Sequence, residues 1–503
     1  MILNNKFVSY PRFILSVFVC FCFLPNLFSQ TIPIGSWQDT DLRNRQLLGA
    51  YDSNTSFTVR PLLKASKANW KRVNYTVLPL TATQQFNSHH PYGWNDGAMI
   101  AAKGYQALIS GGVYASYGAL EIQLAPELVY AANPAYRSNG SYGSNVGGSY
   151  QKLFPGQSGI RVNAGPVSFG VSTQNLWWGP GRYSSLLMSN NAPGFGHVFF
   201  SSRKPVKTPI GHFEWQLIGG KLVSDEIRPY ENQNLKPNTV NNDWRYLSAM
   251  VITYQPKWTP GLFLGFTRAI QTYNEDNRVS TAGFVNRYIP VIGLAFQKKN
   301  VGGEDSTRRD QLASFFLRWL FKKAKAEFYL EYGFNDYGIN TRDYLLGPSH
   351  SAAYITGFKK IIPLKDEAYF DAGIEITQMS QTPDYLVRNA GNWYTHGQIL
   401  QGYTNYNQIM GAGAGFGSNV QDLNLTWVKG TKQLGILLER VDRDPVFHAN
   451  KWIDMSIGFL PKYQYKNIVF SGIIQFVKSH QYAWETGVNV FNLHTRIQVQ
   501  YTF

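Results

Sequence analysis

The last eleven residues confine this chain more tightly than any other stretch. Leu493, Thr495, Ile497, Val499, Tyr501 and Phe503 alternate with His494, Arg496, Gln498, Gln500 and Thr502. A period of 2 places the two sets on opposite faces of a strand, whereas a helix would mix them around its circumference. A strand of ~9–11 residues crosses the core of a bilayer, one face on lipid and the other on a polar lumen. A terminal ring such as Phe503 suits the membrane–water interface. The segment therefore reads as the closing strand of a transmembrane β-barrel.

The pattern recurs. Leu120, Ile122, Leu124, Leu128 and Tyr130 oppose Glu121, Gln123 and Glu127, while Ala326, Phe328, Leu330 and Tyr332 oppose Glu327 and Glu331. Phe370, Ala372, Ile374 and Ile376 face away from Asp371 and Glu375, and Leu423, Leu425 and Trp427 face away from Asp422, Asn424 and Thr426. Ile468, Phe470, Ile474 and Phe476 form another set. Carboxylates against lipid are expensive, so the polar face must meet a wet lumen or a polar plug. A soluble β-sandwich also alternates. It leaves unexplained the 15% aromatic content, the terminal Phe503 and an export signal at the other end.

That signal occupies residues 1–29. Lys6 and Arg12 form its basic region, Phe13 to Leu24 its apolar run, and Pro25-Asn26 the break before cleavage after Ser29. The run is short of the roughly 20 apolar residues that a helical span needs. Both cysteines, Cys20 and Cys22, lie within it, so the exported chain carries no thiol and no disulfide. The formal charge of +16 falls to +14 once Lys6 and Arg12 are removed. Such an excess points to polyanionic neighbours, either acidic glycan or lipopolysaccharide phosphates; export makes nucleic acid the least fitting.

Residues 30–85 read as an N-terminal periplasmic helical segment. Asp39-Thr40-Asp41 offers a cap for a short amphipathic helix from Leu42 to Leu48, closed by Gly49, and a weaker helical stretch runs from Pro61 to Trp70. Residues 86–503 read as hairpins of an all-β, antiparallel transmembrane barrel with a strand count in the high teens. The polar stretches Asn133–Ser149, Arg228–Asp243, Gly302–Asp310 and Pro383–Asn407 are expected as external loops.

Four segments resemble the Wzi family of capsule-assembly proteins. Asn175 through Ala192 is similar to its WWGPG…S-L-x-x-S-x-N-A stretch, and Pro91-Tyr92-Gly93-Trp94-Asn95-Asp96-Gly97 to its Y-G-x-N-D-G opening strand. Asp310-Gln311-Leu312 leading to Tyr329–Gly333 is a third match. The fourth runs from Trp393 through His396, Gly402-Tyr403 and Gly411–Gly417. The resemblance implies an 18-stranded outer-membrane barrel with an N-terminal helical segment, acting as a surface lectin for capsule rather than as an open pore.

Polysaccharide-binding candidates follow from residue chemistry. Trp177 and Trp178 offer flat rings for a pyranose face, beside Tyr183, and Arg182 offers a bidentate partner for a glycan carboxylate. The same Trp177–Tyr183 run also reads as an interfacial aromatic girdle followed by a tight Gly-Pro-Gly turn. Asn190 and Asn191 are suited to sugar hydroxyls or to capping the same loop; His396 and Tyr403 complete the set. Gly411, Gly413, Gly415 and Gly417 fit neither a dinucleotide fingerprint nor a P-loop, and read as a strand whose bare face admits a plug. His89 and His90, being adjacent, are expected on opposite strand faces and unable to share a metal. No Ser–His constellation is specified, so neither catalysis, a cofactor nor a metal is expected.

The expected function is that of a monomeric outer-membrane protein surrounded by lipid and lipopolysaccharide. It binds capsular or extracellular polysaccharide, of acidic type, and organises it at the cell surface. A porin or uptake channel is the alternative, separable by ion conductance.

Overall fold

The computed structural model describes residues 31–63, 70–136, 148–224, 244–279, 283–293, 309–335, 349, 351–380, 391–446 and 448–503. The signal, the stretch Arg228–Asp243 and most of Gly302–Asp310 lie outside them.

Alternation dictates the architecture. Strands whose apolar side chains all point one way must bury that face, and closure into a cylinder with the apolar face outward also removes both sheet edges. Among the described residues, 18 antiparallel strands close in this way. They begin with β1 (Asn74–Asn87), β2 (Gly104–Tyr117), β3 (Leu120–Leu124 and Glu127–Ala131) and β4 (Tyr150–Phe154 and Gly159–Ala164). Next come β5 (Val167–Ser172), β6 (His197–Ser202 and Val206–Thr208), β7 (Gly211–Leu222), β8 (Arg245–Pro256) and β9 (Leu262–Tyr273). After these run β10 (Asp310–Phe321), β11 (Ala326–Asn335), β12 (Ala352–Pro363), β13 (Tyr369–Gln378) and β14 (Asn419–Lys429). The last are β15 (Lys432–Arg443), β16 (Trp452–Tyr465), β17 (Ile468–His480) and β18 (Val490–Tyr501). Ring closure pairs β18 with β1 from His494↔Asn87 to Tyr501↔Leu80. The breaks in β3, β4 and β6 contain Pro126, Pro155 and Pro205, and Pro79 sits in the bulge of β1. Each lacks the N–H that a continuous ladder requires.

Side chains sort as the sequence predicts. Phe491, Ile497 and Tyr501 are exposed on β18, while Asn492, His494 and Gln500 are buried. Leu423 and Leu425 point outward on β14, against buried Asp422, Asn424 and Thr426. No described helix is long and apolar enough to cross a membrane, which leaves the strands as the crossing elements.

Eight connections are tight turns at one end of the barrel, such as Gly118-Ala119 and Gly430-Thr431. The other end carries nine longer connections. Three of these turn inward: residues 88–103, 173–196 and 391–418. Their side chains build an apolar core inside the polar wall, including Trp178, Leu186, Leu187, Met188, Trp393 and Met410. The expectation that Pro383–Asn407 is an external loop is corrected accordingly for Trp393, Tyr394, Ile399 and residues 401–405, which are buried within the barrel, while Gly397 and Gln398 stay exposed.

The N-terminal segment enters the lumen from the tight-turn end. Helix α1 (Trp37–Leu47) begins five residues before Leu42, because Ser36 rather than the Asp39–Asp41 run supplies the cap: its Oγ accepts from Asp39 N. Leu47 sits in a pocket of Phe263, Leu320, Ile361, Tyr369 and Val428. Leu62-Leu63 pairs antiparallel with Thr31-Ile32, so this part of the expected second helical stretch is strand. The barrel itself starts at Asn74 and not near residue 86, since the 14-residue β1 includes a first half that its bulge hides from a period-2 reading.

Candidate functional site

The inward connections are keyed to the wall by side chains that the strands aim into the lumen. Trp177-Trp178 pairs antiparallel with Val59-Arg60 of the N-terminal segment, with the Arg60 guanidinium 4.6 Å above the Trp177 ring. Trp178 donates its indole N–H to Gln216 of β7 at 2.9 Å. The rings are 2% and 0% exposed, so neither has a face left for a sugar and neither belongs to a membrane girdle. Arg60 also bridges Asp39 of α1 at 2.9 Å, and Arg43 of α1 bridges Glu327 of β11 at 2.8 Å.

Beyond Gly179-Pro180-Gly181 the chain runs into a cradle. Glu375 of β13 accepts the backbone N–H groups of Arg182, Tyr183 and Ser184 at 2.6, 3.0 and 2.7 Å, and the Tyr329 hydroxyl at 2.7 Å. Gly179 carries φ +114°, and a Cβ there would lie 2.8 Å from the Glu331 carboxylate, so only glycine makes this bend. The Arg182 guanidinium forks onto both Asp371 oxygens at 3.1 and 3.0 Å and reaches Asn424 Oδ1 at 2.9 Å. Burial by itself favours the neutral guanidine, but Asp371 outweighs it and the Arg182 pKa is raised. Arg182 thus locks plug to wall, and its bidentate partner is Asp371 rather than a glycan acid. Tyr183 lies under the Arg182 guanidinium at 5.2 Å, its phenol pushed up by burial.

Asn190 and Asn191 stitch the three connections together. Asn190 donates to Asn95 O at 3.0 Å, and Asn191 donates to Ile409 O at 2.9 Å while accepting from Asn95 N at 3.2 Å. The glycine-rich stretch forms turns, not the expected strand. Its close packing is nevertheless what the glycines permit: a Cβ on Gly411 would run into Leu186 O and the Tyr394 hydroxyl. Tyr394 donates to Leu186 O at 2.9 Å and accepts from Ala412 N at 2.8 Å. Tyr403 stacks beside it with centroids 6.3 Å apart and is wholly buried.

His396 differs from the rest. It stands at the long-connection end, half-buried, next to exposed Gly397 and Gln398. Its Nδ1 accepts from Gln398 N at 3.2 Å and Ile399 N at 3.1 Å, which leaves Nε2 as the N–H donor of the neutral ring. His89 and His90 occupy the bend after β1 and bring their Nδ1 atoms to 3.2 Å, not to opposite faces. Among the described residues no third ligand joins them.

The structure therefore gathers Trp177, Trp178, Arg182, Tyr183, Asn190, Asn191 and Tyr403 into one interior frame and sets His396 apart at its rim. Sequence reasoning missed the cradle of Glu375. The signal was present, since Glu327, Glu331, Asp371 and Glu375 stood out as carboxylates on lumenal faces, but the partners of Glu375 are mainly backbone N–H groups of a distant connection, which no pattern advertises.

A sequence model of the family described as capsule assembly protein Wzi matches residues 91–480, from the first inward connection to the end of β17. The chain belongs to that family. The match spans strands β2 to β17 and almost all of the three inward connections. The solved structure of Escherichia coli Wzi, described as an outer membrane protein involved in group 1 capsule assembly and a carbohydrate-binding β-barrel, has a TM-score of 0.63 at 12% identity. The likeness covers 94% of this chain and 100% of that one. OccAB4 of Acinetobacter baumannii gives a TM-score of 0.42 at 11% identity over 86% of this chain and 100% of that one. No curated protein matches by sequence. As a Wzi-family barrel the protein resides in the outer membrane.

Proposed function

We propose that this protein holds capsular or extracellular polysaccharide at the cell surface, binding the polymer without cleaving it. One observation carries the reading: three connections fold into the lumen and are held there by wall side chains, Tyr92 on Glu439, Arg182 on Asp371 and Gly402 O on Arg245, so the barrel offers a surface and not a passage. The same carbohydrate-binding description attaches to the similar Escherichia coli barrel. Short turns face the periplasm in such barrels. On that rule the long-connection end faces outward, and residues 31–63 close the periplasmic mouth. The rim around His396, with Asn392, Thr395 and Gln398, is where polymer meets protein; the Trp177–Asn191 frame holds that rim in place. The protein works as a monomer with its apolar belt in outer-membrane lipid.

The excess of cations on the mature chain favours an acidic polymer. Exposed charges are screened beyond about 10 Å at 0.1 M salt, so polymer binding is expected to weaken steeply as salt rises. Binding that ignores ionic strength would remove the acidic preference. The function itself is tested by deleting the protein and measuring cell-attached against shed polymer. Shedding is expected to rise; an unchanged partition would overturn the proposal.

A further inference from the structure

The connection after β9 does something that neither the plug nor the wall requires. Three short helices, α2 (Asn274–Val279), α3 (Phe284–Tyr288) and α4 (Pro290–Gly293), leave the rim, and α3 and α4 fold back over the outside of the barrel. Their seat is visible in the burial of side chains that point outward from β8 and β9. Ser248, Ile270 and Thr272 are covered, and Val291 of α4 is fully buried against the wall. The Tyr246 hydroxyl of β8 donates to Tyr288 O at 2.7 Å. The flap then turns apolar groups away from the barrel: Phe284 is 70% exposed, Val285 49%, Tyr288 38% and Ile292 38%.

Cations accompany this apolar surface. Arg268 lies in β9 between the outward positions of Phe266 and Ile270, where a charge facing lipid is costly at mid-depth and less so nearer the interface. It donates to Val291 O of the flap at 3.3 Å and to Gln311 Oε1 at 2.9 Å. Arg287 lies over the Tyr288 ring at 5.2 Å and donates to Arg278 O at 2.8 Å, and Arg309 donates to Asn286 O at 3.0 Å. Arg278 and Glu275 pair with each other at 2.6 Å in the open. Among the described residues of this connection and its seat, four arginines stand against two carboxylates, Glu275 and Asp276. Rings and aliphatic side chains beside several guanidiniums, at the outward end of a lipid-facing wall, match one chemistry: acyl chains topped by phosphate.

We propose that the flap is a binding site for a phosphorylated glycolipid of the outer leaflet. Acyl chains lie along Phe284, Val285 and Ile292, and the phosphate engages Arg287 and Arg309. A second protein copy fits less well, because a self-complementary contact would set each arginine cluster against its own kind. This inference uses the outer-membrane placement and is independent of polysaccharide binding.

The test reconstitutes the whole mature protein with lipid A and with enzymatically dephosphorylated lipid A in phosphatidylcholine nanodiscs. Lipid retained through detergent washing is then counted by native mass spectrometry. Phosphorylated lipid A is expected to be retained at least about tenfold better, and Arg287→Gln with Arg309→Gln to abolish that preference. Phe284→Ser with Ile292→Ser is expected to reduce retention of both lipids. Heat-modifiable gel mobility reports that each variant still forms the barrel. Equal retention of the two lipids, or a preference that survives the double arginine change, overturns the proposal; polymer shedding measured on the same variants stays as in the wild type if the two functions are separate.

Discussion

Arg182 shows what a single side chain does here. Its guanidinium neutralises Asp371, while the backbone around it fills the Glu375 cradle. Removing one partner of a buried pair leaves the other charge unsatisfied and typically costs ~3–5 kcal/mol. Lys359, 3.4 Å from Asp371, recovers part of that. Arg182→Met is therefore expected to loosen the inward connections while sparing the barrel, seen as new protease cuts within 173–196 at unchanged heat-modifiable mobility. His90 gives a pH handle at the opposite, long-connection end. Burial lowers its pKa from 6.5 to about 3, with Asp454 opposing and His89, Arg443 and Lys103 assisting. The unfolded loop thus takes up a proton near 6.5 that the folded ring refuses until about 3. Its stabilising contribution is complete above 6.5 and declines as pH falls toward 3. Amide protection across residues 88–103, taken relative to the intrinsic exchange rate at each pH, is expected to fall between pH 7.5 and 4.5, and His90→Gln to flatten that dependence.

At the scale of elements, α1 is the test of how the tight-turn mouth is closed. Leu47 fills an apolar pocket contributed by five strands, so Leu47→Ala is expected to cost ~2–5 kcal/mol of helix docking. Trypsin cleavage at Arg43 and Arg45 should then accelerate with no change in barrel melting. The strands were legible in the sequence because lipid and lumen enforce a strict period, and β18, β14 and β11 follow it residue by residue. The inward connections were not. Trp177, Trp178, Asn190 and Asn191 occupy loops by any local criterion, and their partners lie elsewhere in the chain: Arg60 over Trp177, Gln216 for Trp178, Asn95 for Asn190 and Ile409, 218 positions away, for Asn191. The same distance effect explains why aromatic and amide groups chosen for sugar chemistry proved to be framework: both roles call for flat rings and paired hydrogen-bonding groups.

For the whole molecule, the outward apolar belt, the polar wall and the apolar core inside it form three concentric layers. The family match runs through parts of all three layers, from residue 91 to residue 480. Ion conductance across a planar bilayer tests the filled lumen most directly. The mature wild-type protein is expected to insert without steady current, and Arg182→Met or Leu47→Ala to introduce intermittent steps. Large, stable channels from the wild type would contradict a plug held by the Arg182–Asp371 and Glu375 contacts.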